Sequence, residues 1–150
     1  MTRASGQTTV FKRNRKPRDY SEHRLQKAVV QFMKRAAKPG AFCFACPNGM
    51  VSDHVSVARM KDAGLFPGVA DLVVVLPSRE VAFLELKTPT GRLQPSQKDF
   101  KSLCARYDIK YAIARTIDEA IEVLVKWGAL QPRLRWPSAE ISIEPVGGAG

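Results

Sequence analysis

Asp71, Glu85 and Lys87 are the residues of this chain whose types and spacing could do chemistry. Asp71 precedes the apolar run Leu72-Val73-Val74-Val75-Leu76, while Glu85 and Lys87 close the run Val81-Ala82-Phe83-Leu84-Glu85-Leu86-Lys87. Side chains alternate along a strand, so Glu85 and Lys87 share one face and Leu86 turns to the other. The turn Pro77-Ser78-Arg79-Glu80 joins the two runs as a hairpin. With Leu76 pairing near Val81, counting back along both strands brings Asp71 opposite Glu85 to Lys87, within one register step. Three polar groups then converge on one patch.

Two oxygen ligands on rigid strands suit a hard divalent cation such as magnesium, which takes carboxylate and water and completes its shell from a phosphate-bearing substrate. An ammonium beside them can steady an attacking hydroxide or the charge developing on a phosphorus centre. The plain alternative is a surface salt-bridge ladder, since Glu-x-Lys on a half-exposed strand is common. Asp71 argues against it, because a carboxylate at the head of a Val and Leu run cannot stay ionised without a partner or a metal.

The elements that must hold this patch can be read from capping and periodicity. Asp19-Tyr20-Ser21-Glu22 has the form of a capping box, after which Leu25, Val29, Phe32, Met33 and Ala36 recur at helical spacing as far as Pro39-Gly40. Glu22 falls on the buried side of that first turn, where it can bond the helix's own amides or lean toward a metal; the sequence leaves both open. Ala41 to Cys46 alternates like a short strand and stops at Pro47-Asn48-Gly49. A helix is expected from about Ser52 to Ala63, closed by Gly64, with His54 on its surface. Thr88 to Leu93 is a loop, and Pro95 opens a helix carrying Gln97, Phe100, Leu103 and Cys104. Lys110 to Ala114 is a further strand. A second capping box, Thr116-Ile117-Asp118-Glu119, starts a last helix with the apolar stripe Ile121, Leu124 and Val125, ended by Gly128. The order helix, strand, helix, strand, strand, helix, strand, helix predicts an α/β sandwich around a central mixed β-sheet flanked by helices, with the site at the strand ends.

With 150 residues and 45% hydrophobic content, the chain suits one domain with a single core. It has no apolar run long enough to cross a membrane, and its beginning lacks the apolar stretch of a signal peptide, so a cytoplasmic protein without a membrane partner is expected. Three cysteines do not make a disulfide framework. Cys43 and Cys46 have metal or redox spacing, but no second Cys or His pair completes a site, and both are read as small apolar residues.

The net charge is +10, and residues 1–18 carry six of the 24 basic side chains (Arg3, Lys12, Arg13, Arg15, Lys16, Arg18) and none of the 14 acidic ones. Such an arm is expected to be flexible and to meet phosphate without sequence preference; the alternative is a solvated terminus that only aids solubility. The division expected is therefore a basic arm over 1–18, an ordered domain over 19–130, and a loosely ordered tail over 131–150.

The residues from about Ser21 to Gly128 resemble the VRR-NUC branch of the PD-(D/E)xK nuclease superfamily, in its small stand-alone viral and prophage form. The resemblance rests on Glu22, Pro47-Asn48-Gly49, the approach Gly64-Leu65-Phe66-Pro67-Gly68-Val69-Ala70-Asp71, Glu85-Leu86-Lys87, and Gly91-Arg92-Leu93 followed by Gln97. Ala70 stands where the family usually has proline, and Met50 follows Asn48-Gly49 where a second glycine is common; neither change removes a chemical group.

The resemblance implies a restriction-endonuclease-like core in which Glu22, Asp71, Glu85 and the backbone carbonyl of Leu86 hold Mg2+ or Mn2+, Lys87 is catalytic and Gln97 orients the site. Nucleic acid is expected to meet Lys12, Arg13, Arg15, Lys16 and Arg18 of the arm, with Asn48 and Arg92 in two of the shared motifs. The activity implied is hydrolysis of DNA phosphodiesters by an endonuclease, on branched substrates such as Holliday junctions, by a homodimer whose twofold symmetry suits such a substrate. Two rivals stay open: a monomeric nuclease for flaps or single-strand ends, and a non-catalytic basic DNA-binding adaptor. An aromatic content of 8% tilts against single-strand stacking, and RNA stays open as a substrate.

Overall fold

The computed structural model describes residues 20–47 and 54–132. The expectations for the arm over 1–18, for Asp19 and Asn48, and for nearly all of the tail lie outside these residues.

Eight elements appear in the expected order: α1 (Tyr20–Ala36), β1 (Phe42–Ala45), α2 (His54–Asp62), β2 (Leu72–Val75), β3 (Val81–Leu86), α3 (Pro95–Arg106), β4 (Lys110–Ala114) and α4 (Ile117–Lys126). The strands form one sheet in the order β1-β2-β3-β4, antiparallel across the first two pairs and parallel across the last. A parallel pair needs a long crossover, and α3 supplies it. The result is a mixed sheet flanked by helices.

The hairpin register is one step from the count made from sequence: Val75 pairs with Val81. Leu76 leaves the ladder, although its N–H still donates to the Glu80 carbonyl at 2.9 Å, because the connection turns through Arg79 with φ 72°. Burying Leu76 favours this arrangement, as its side chain is only 1% exposed. The shift stays within the one step expected from the turn.

Alternation along β2 and β3 sorts their residues into two cores. Leu72, Val74, Ala82, Leu84 and Leu86 face one side and pack with Val29 and Met33 of α1 and with Ile121 and Leu124 of α4. On the other side Phe83 and Tyr111 meet Phe100 and Cys104 of α3 and Ala70. The Phe83 and Phe100 rings meet edge to face, with centroids 4.9 Å apart. Such pairs add about 1 kcal/mol to simple burial. In contrast α2 buries none of its residues, and His54 at its start is exposed, as expected.

Capping follows the sequence with one variation. Gln94 and Gln97 form a reciprocal box at the start of α3, with Pro95 in the first turn. At α4 the Thr116 hydroxyl accepts from the Glu119 amide, as expected, while the Glu119 carboxylate accepts from the N–H of Arg115 at 2.7 Å. That bond ties the end of β4 to the helix that follows.

Candidate active site

The register Leu72↔Leu84 makes Asp71 and Glu85 the next pair across the hairpin. Asp71 is held there by its own side chain: Oδ2 accepts the Leu86 N–H at 2.8 Å. Glu85 is fully buried and Lys87 is 7% exposed, which rules out the surface-ladder reading of Glu-x-Lys. Lys87 Nζ lies 2.8 Å from Glu85 Oε1. Gln97 donates Nε2 to the same oxygen at 2.6 Å, while its own Oε1 accepts from the Gln94 N–H. One side chain thus caps α3 and fixes a buried carboxylate.

The carboxylates are under electrostatic tension. Burial pushes Glu85 up from the ordinary range to about 7, opposed by the bond from Lys87 and reinforced by the charge of Asp71. Asp71 is raised too, chiefly by burial, with the Leu86 amide and Lys87 pulling the other way and Glu22 adding to the rise. The Tyr111 hydroxyl is also raised, by burial first and then by Glu85. Among the described residues, the buried side-chain polar atoms without a hydrogen-bond partner are Glu85 Oε2 and the Tyr111 hydroxyl. A buried carboxylate oxygen without a donor is costly unless something positive meets it.

Glu22 arrives from the first turn of α1. Its Oε1 accepts the Thr88 N–H at 3.2 Å, across 66 residues of sequence, so the carboxylate is tied to the loop after Lys87. Gly91 presses on this contact: a Cβ there would stand 2.8 Å from Thr88 Oγ1 and 3.4 Å from Glu22 Oε1. Gly68, with φ +76°, lets the chain ahead of Asp71 lie against the start of α3, where a Cβ would collide with the Ser96 carbonyl. Tight backbone approach on both sides holds Asp71, Glu22 and Gln97 around Glu85.

This donor set fits a hard divalent cation in its chemistry. Asp71 and Glu85 are paired carboxylates whose mutual repulsion and burial a cation would relieve, and Glu85 Oε2 is left without a donor. Among the described residues no group of three or more His, Cys, Asp or Glu side chains is gathered closely enough to hold a metal ion. An ion here would take the rest of its shell from water, backbone oxygen or substrate, as magnesium commonly does.

A family model for the VRR-NUC domain matches residues 12–117, most of the chain. The chain belongs to the VRR-NUC family. Two solved structures are similar to it: a "VRR_NUC domain protein" at 20% identity, covering 75% of this chain and 97% of its own with a TM-score of 0.59, and a "VRR_NUC domain" at 17% identity, covering 71% and 95% with a TM-score of 0.50. No curated protein matches. Both structures share the mixed sheet flanked by helices described above, and membership of the family makes this a nuclease-type, restriction-endonuclease-like fold.

In this VRR-NUC chain the expected residues Glu22, Asp71, Glu85, Lys87 and Gln97 lie at one end of the sheet. Leu86 contributes its N–H to Asp71. Arg92 is exposed on the loop beyond Gly91, whereas Asn48 and the arm residues lie outside the described residues. Cys43, Cys46 and Cys104 are free, and burial raises each thiol, which agrees with reading Cys43 and Cys46 as small apolar residues. Sequence reasoning missed Arg115 and Tyr111. Both belong to or follow β4, whose parallel place beside β3 no local signal announces. No described helix is long and apolar enough to cross a membrane.

Proposed function

We propose that this VRR-NUC chain is a divalent-metal-dependent endonuclease that hydrolyses phosphodiesters in branched DNA, of Holliday-junction type, as a homodimer. The observation that carries the reading is the buried Glu85 carboxylate, with Lys87 and Gln97 on one oxygen and none of the described donors on the other. A group arranged only for stability would have both oxygens satisfied or would be apolar.

Asp71 and Glu85, with Glu22 and the Leu86 carbonyl, would hold Mg2+ or Mn2+, which when bound polarises the scissile phosphate and acidifies water. Gln97 and Lys87 both bond Glu85 Oε1, which leaves Oε2 as the oxygen that would meet a cation. Lys87, anchored on Oε1, offers its remaining ammonium hydrogens to charge building on the phosphoryl oxygens as the attacking water enters in line. The basic arm and Arg92 bind backbone phosphate. A net charge of +10 supports nucleic acid as the polyanion, and a twofold dimer would present two such sites to the opposed strands of a junction.

The test is a panel of end-labelled four-way junctions, flaps, single strands and linear duplexes, cleaved with and without magnesium, alongside sedimentation of the chain. Symmetric magnesium-dependent cuts in the junction by a dimer support the reading. Preferential cleavage of flaps by a monomer would replace the substrate, and binding without cleavage in any divalent metal would leave an adaptor. Asp71→Asn and Lys87→Ala should each lower the rate by about 100-fold or more while junction binding persists.

A further inference from the structure

Residues 88–91 run from the end of β3 toward α3 without regular structure, and a loop of that kind must still find partners for its carbonyls. One turn bond, from the Gly91 N–H to the Thr88 carbonyl at 3.1 Å, closes it. The rest is done by one side chain from outside. Arg115, just past β4, donates Nη1 to the carbonyls of Thr88 at 2.6 Å, Gly91 at 2.8 Å and Pro89 at 3.4 Å. Its own backbone N–H is held by Glu119, so the guanidinium projects from a fixed base.

The loop consequently has two faces. Its carbonyls gather on Arg115, and the Thr88 N–H points the other way, to Glu22 Oε1. Gly91, whose missing Cβ leaves room beside both Thr88 and Glu22, keeps these faces close. Immediately upstream, the Lys87 N–H donates to the Ala114 carbonyl at 3.0 Å. Ala114 and Arg115 together therefore fix the backbone of Lys87 and of the amide that meets Glu22. All three bonds leave the single Nη1 atom, so a lysine ammonium could keep part of them, but from a shorter and more flexible stem without the rigid guanidinium plane.

We infer that Arg115 is a positioning residue of the site: by gathering the carbonyls of Thr88, Pro89 and Gly91 it orients the Thr88 amide that holds the Glu22 carboxylate beside Asp71 and Glu85. The inference rests on the nuclease reading above for its catalytic consequence, though not for the loop geometry itself. A group that only stabilised the fold would change melting temperature and leave the metal requirement of cleavage alone.

The experiment uses the full chain and its Arg115→Ala, Arg115→Lys and Glu22→Gln variants, with the Arg115→Ala/Glu22→Gln double variant. Two quantities are read: the magnesium concentration giving half-maximal cleavage, and hydrogen-exchange protection of the Thr88 amide in metal-free protein. Arg115→Ala should raise the magnesium requirement by about 10-fold and reduce Thr88 protection selectively. Arg115→Lys, which keeps the charge and guards against misfolding of the alanine variant, should show the same changes in smaller measure. Added to Glu22→Gln, Arg115→Ala should shift the magnesium requirement little further, because both act through one carboxylate. Unchanged Thr88 protection, an unchanged magnesium requirement, or full additivity in the double variant would overturn the inference. If the wild-type chain does not cleave at all, the nuclease reading fails and the catalytic part of this inference with it, while Thr88 protection still reports whether Arg115 orders the loop.

Discussion

Lys87 Nζ sits 2.8 Å from Glu85 Oε1 with both side chains almost wholly out of solvent. Two residues apart on one strand, they share a face by the pleat alone. Their burial is another matter, since it needs α3 laid over that face and Gln97 brought to the same oxygen. The pair is consequently rigid on one side and open on Oε2.

The raised Glu85 leads to a pH dependence of definite sign. Its ordinary value is 4.5 and its folded value about 7, so the folded chain binds this proton more tightly than the unfolded one. The stabilisation is full below about 4.5 and is lost as pH rises through about 7, amounting to at most about 3 kcal/mol. Asp71, also raised, acts in the same direction. Denaturant melts in the presence of a chelator should show stability falling between about pH 5 and 8, and Glu85→Gln should flatten that fall. Magnesium at pH 8 should restore stability to the wild type and not to the variant, because the ion competes with the proton for the same oxygens. A flat metal-free profile would show that Glu85 is not raised.

Glu22→Gln separates charge from geometry. The amide keeps a carbonyl oxygen for the Thr88 N–H, so the loop bond survives and the stability cost should stay below about 1 kcal/mol. Losing the negative charge should weaken the hold on the ion, with cleavage depressed at low magnesium and partly recovered at high magnesium or manganese. A titration curve superimposable on wild type would confine Glu22 to ordering the loop.

Gly68→Ala should be among the more damaging small substitutions in the chain. The new methyl would meet the Ser96 carbonyl and stand 2.6 Å from the Gln97 nitrogen, at a φ of +76° that L-residues avoid. Backbone strain and overpacking together suggest about 2–4 kcal/mol of destabilisation. Because Gln97 lies in the first turn of the helix that would have to shift, cleavage should fall even at temperatures where the variant stays folded. Equilibrium unfolding by urea, paired with a rate measured well below the midpoint, checks both parts; wild-type values for each would remove Gly68 from the site's support.

Deleting residues 1–18 should change affinity and leave chemistry alone. Up to six phosphate contacts disappear, so the slope of log affinity against log salt should become shallower by as much as about 5. Single-turnover cleavage at saturating enzyme should be nearly unchanged. An unaltered salt slope would mean that the arm does not touch DNA.

Much of this fold was legible in local pattern. The strand Lys110–Ala114 has the bounds its sequence predicts, Pro95 opens α3, and Thr116 caps α4. Asp71, Glu85 and Lys87 could be brought together on paper because a hairpin is a local structure, with a register set by a short turn and by alternation. Even the one-step shift at Leu76 came from a local event, the left-handed Arg79.

The sequence by itself determined which groups were available and that they meet, because side-chain periodicity and turn chemistry act over a few residues. Only the tertiary structure decided what environment they meet in. Glu85 loses its water because α3 crosses from β3 to the parallel β4, and Glu22 finds Thr88 across 66 positions because α1 packs along the opposite face of the same sheet. Arg115 reaches the loop after Lys87 for the same reason, since β4 lies beside β3 and its last carbonyl already holds the Lys87 amide. Contacts at such separation depend on how whole layers pack, and no spacing along the chain encodes them.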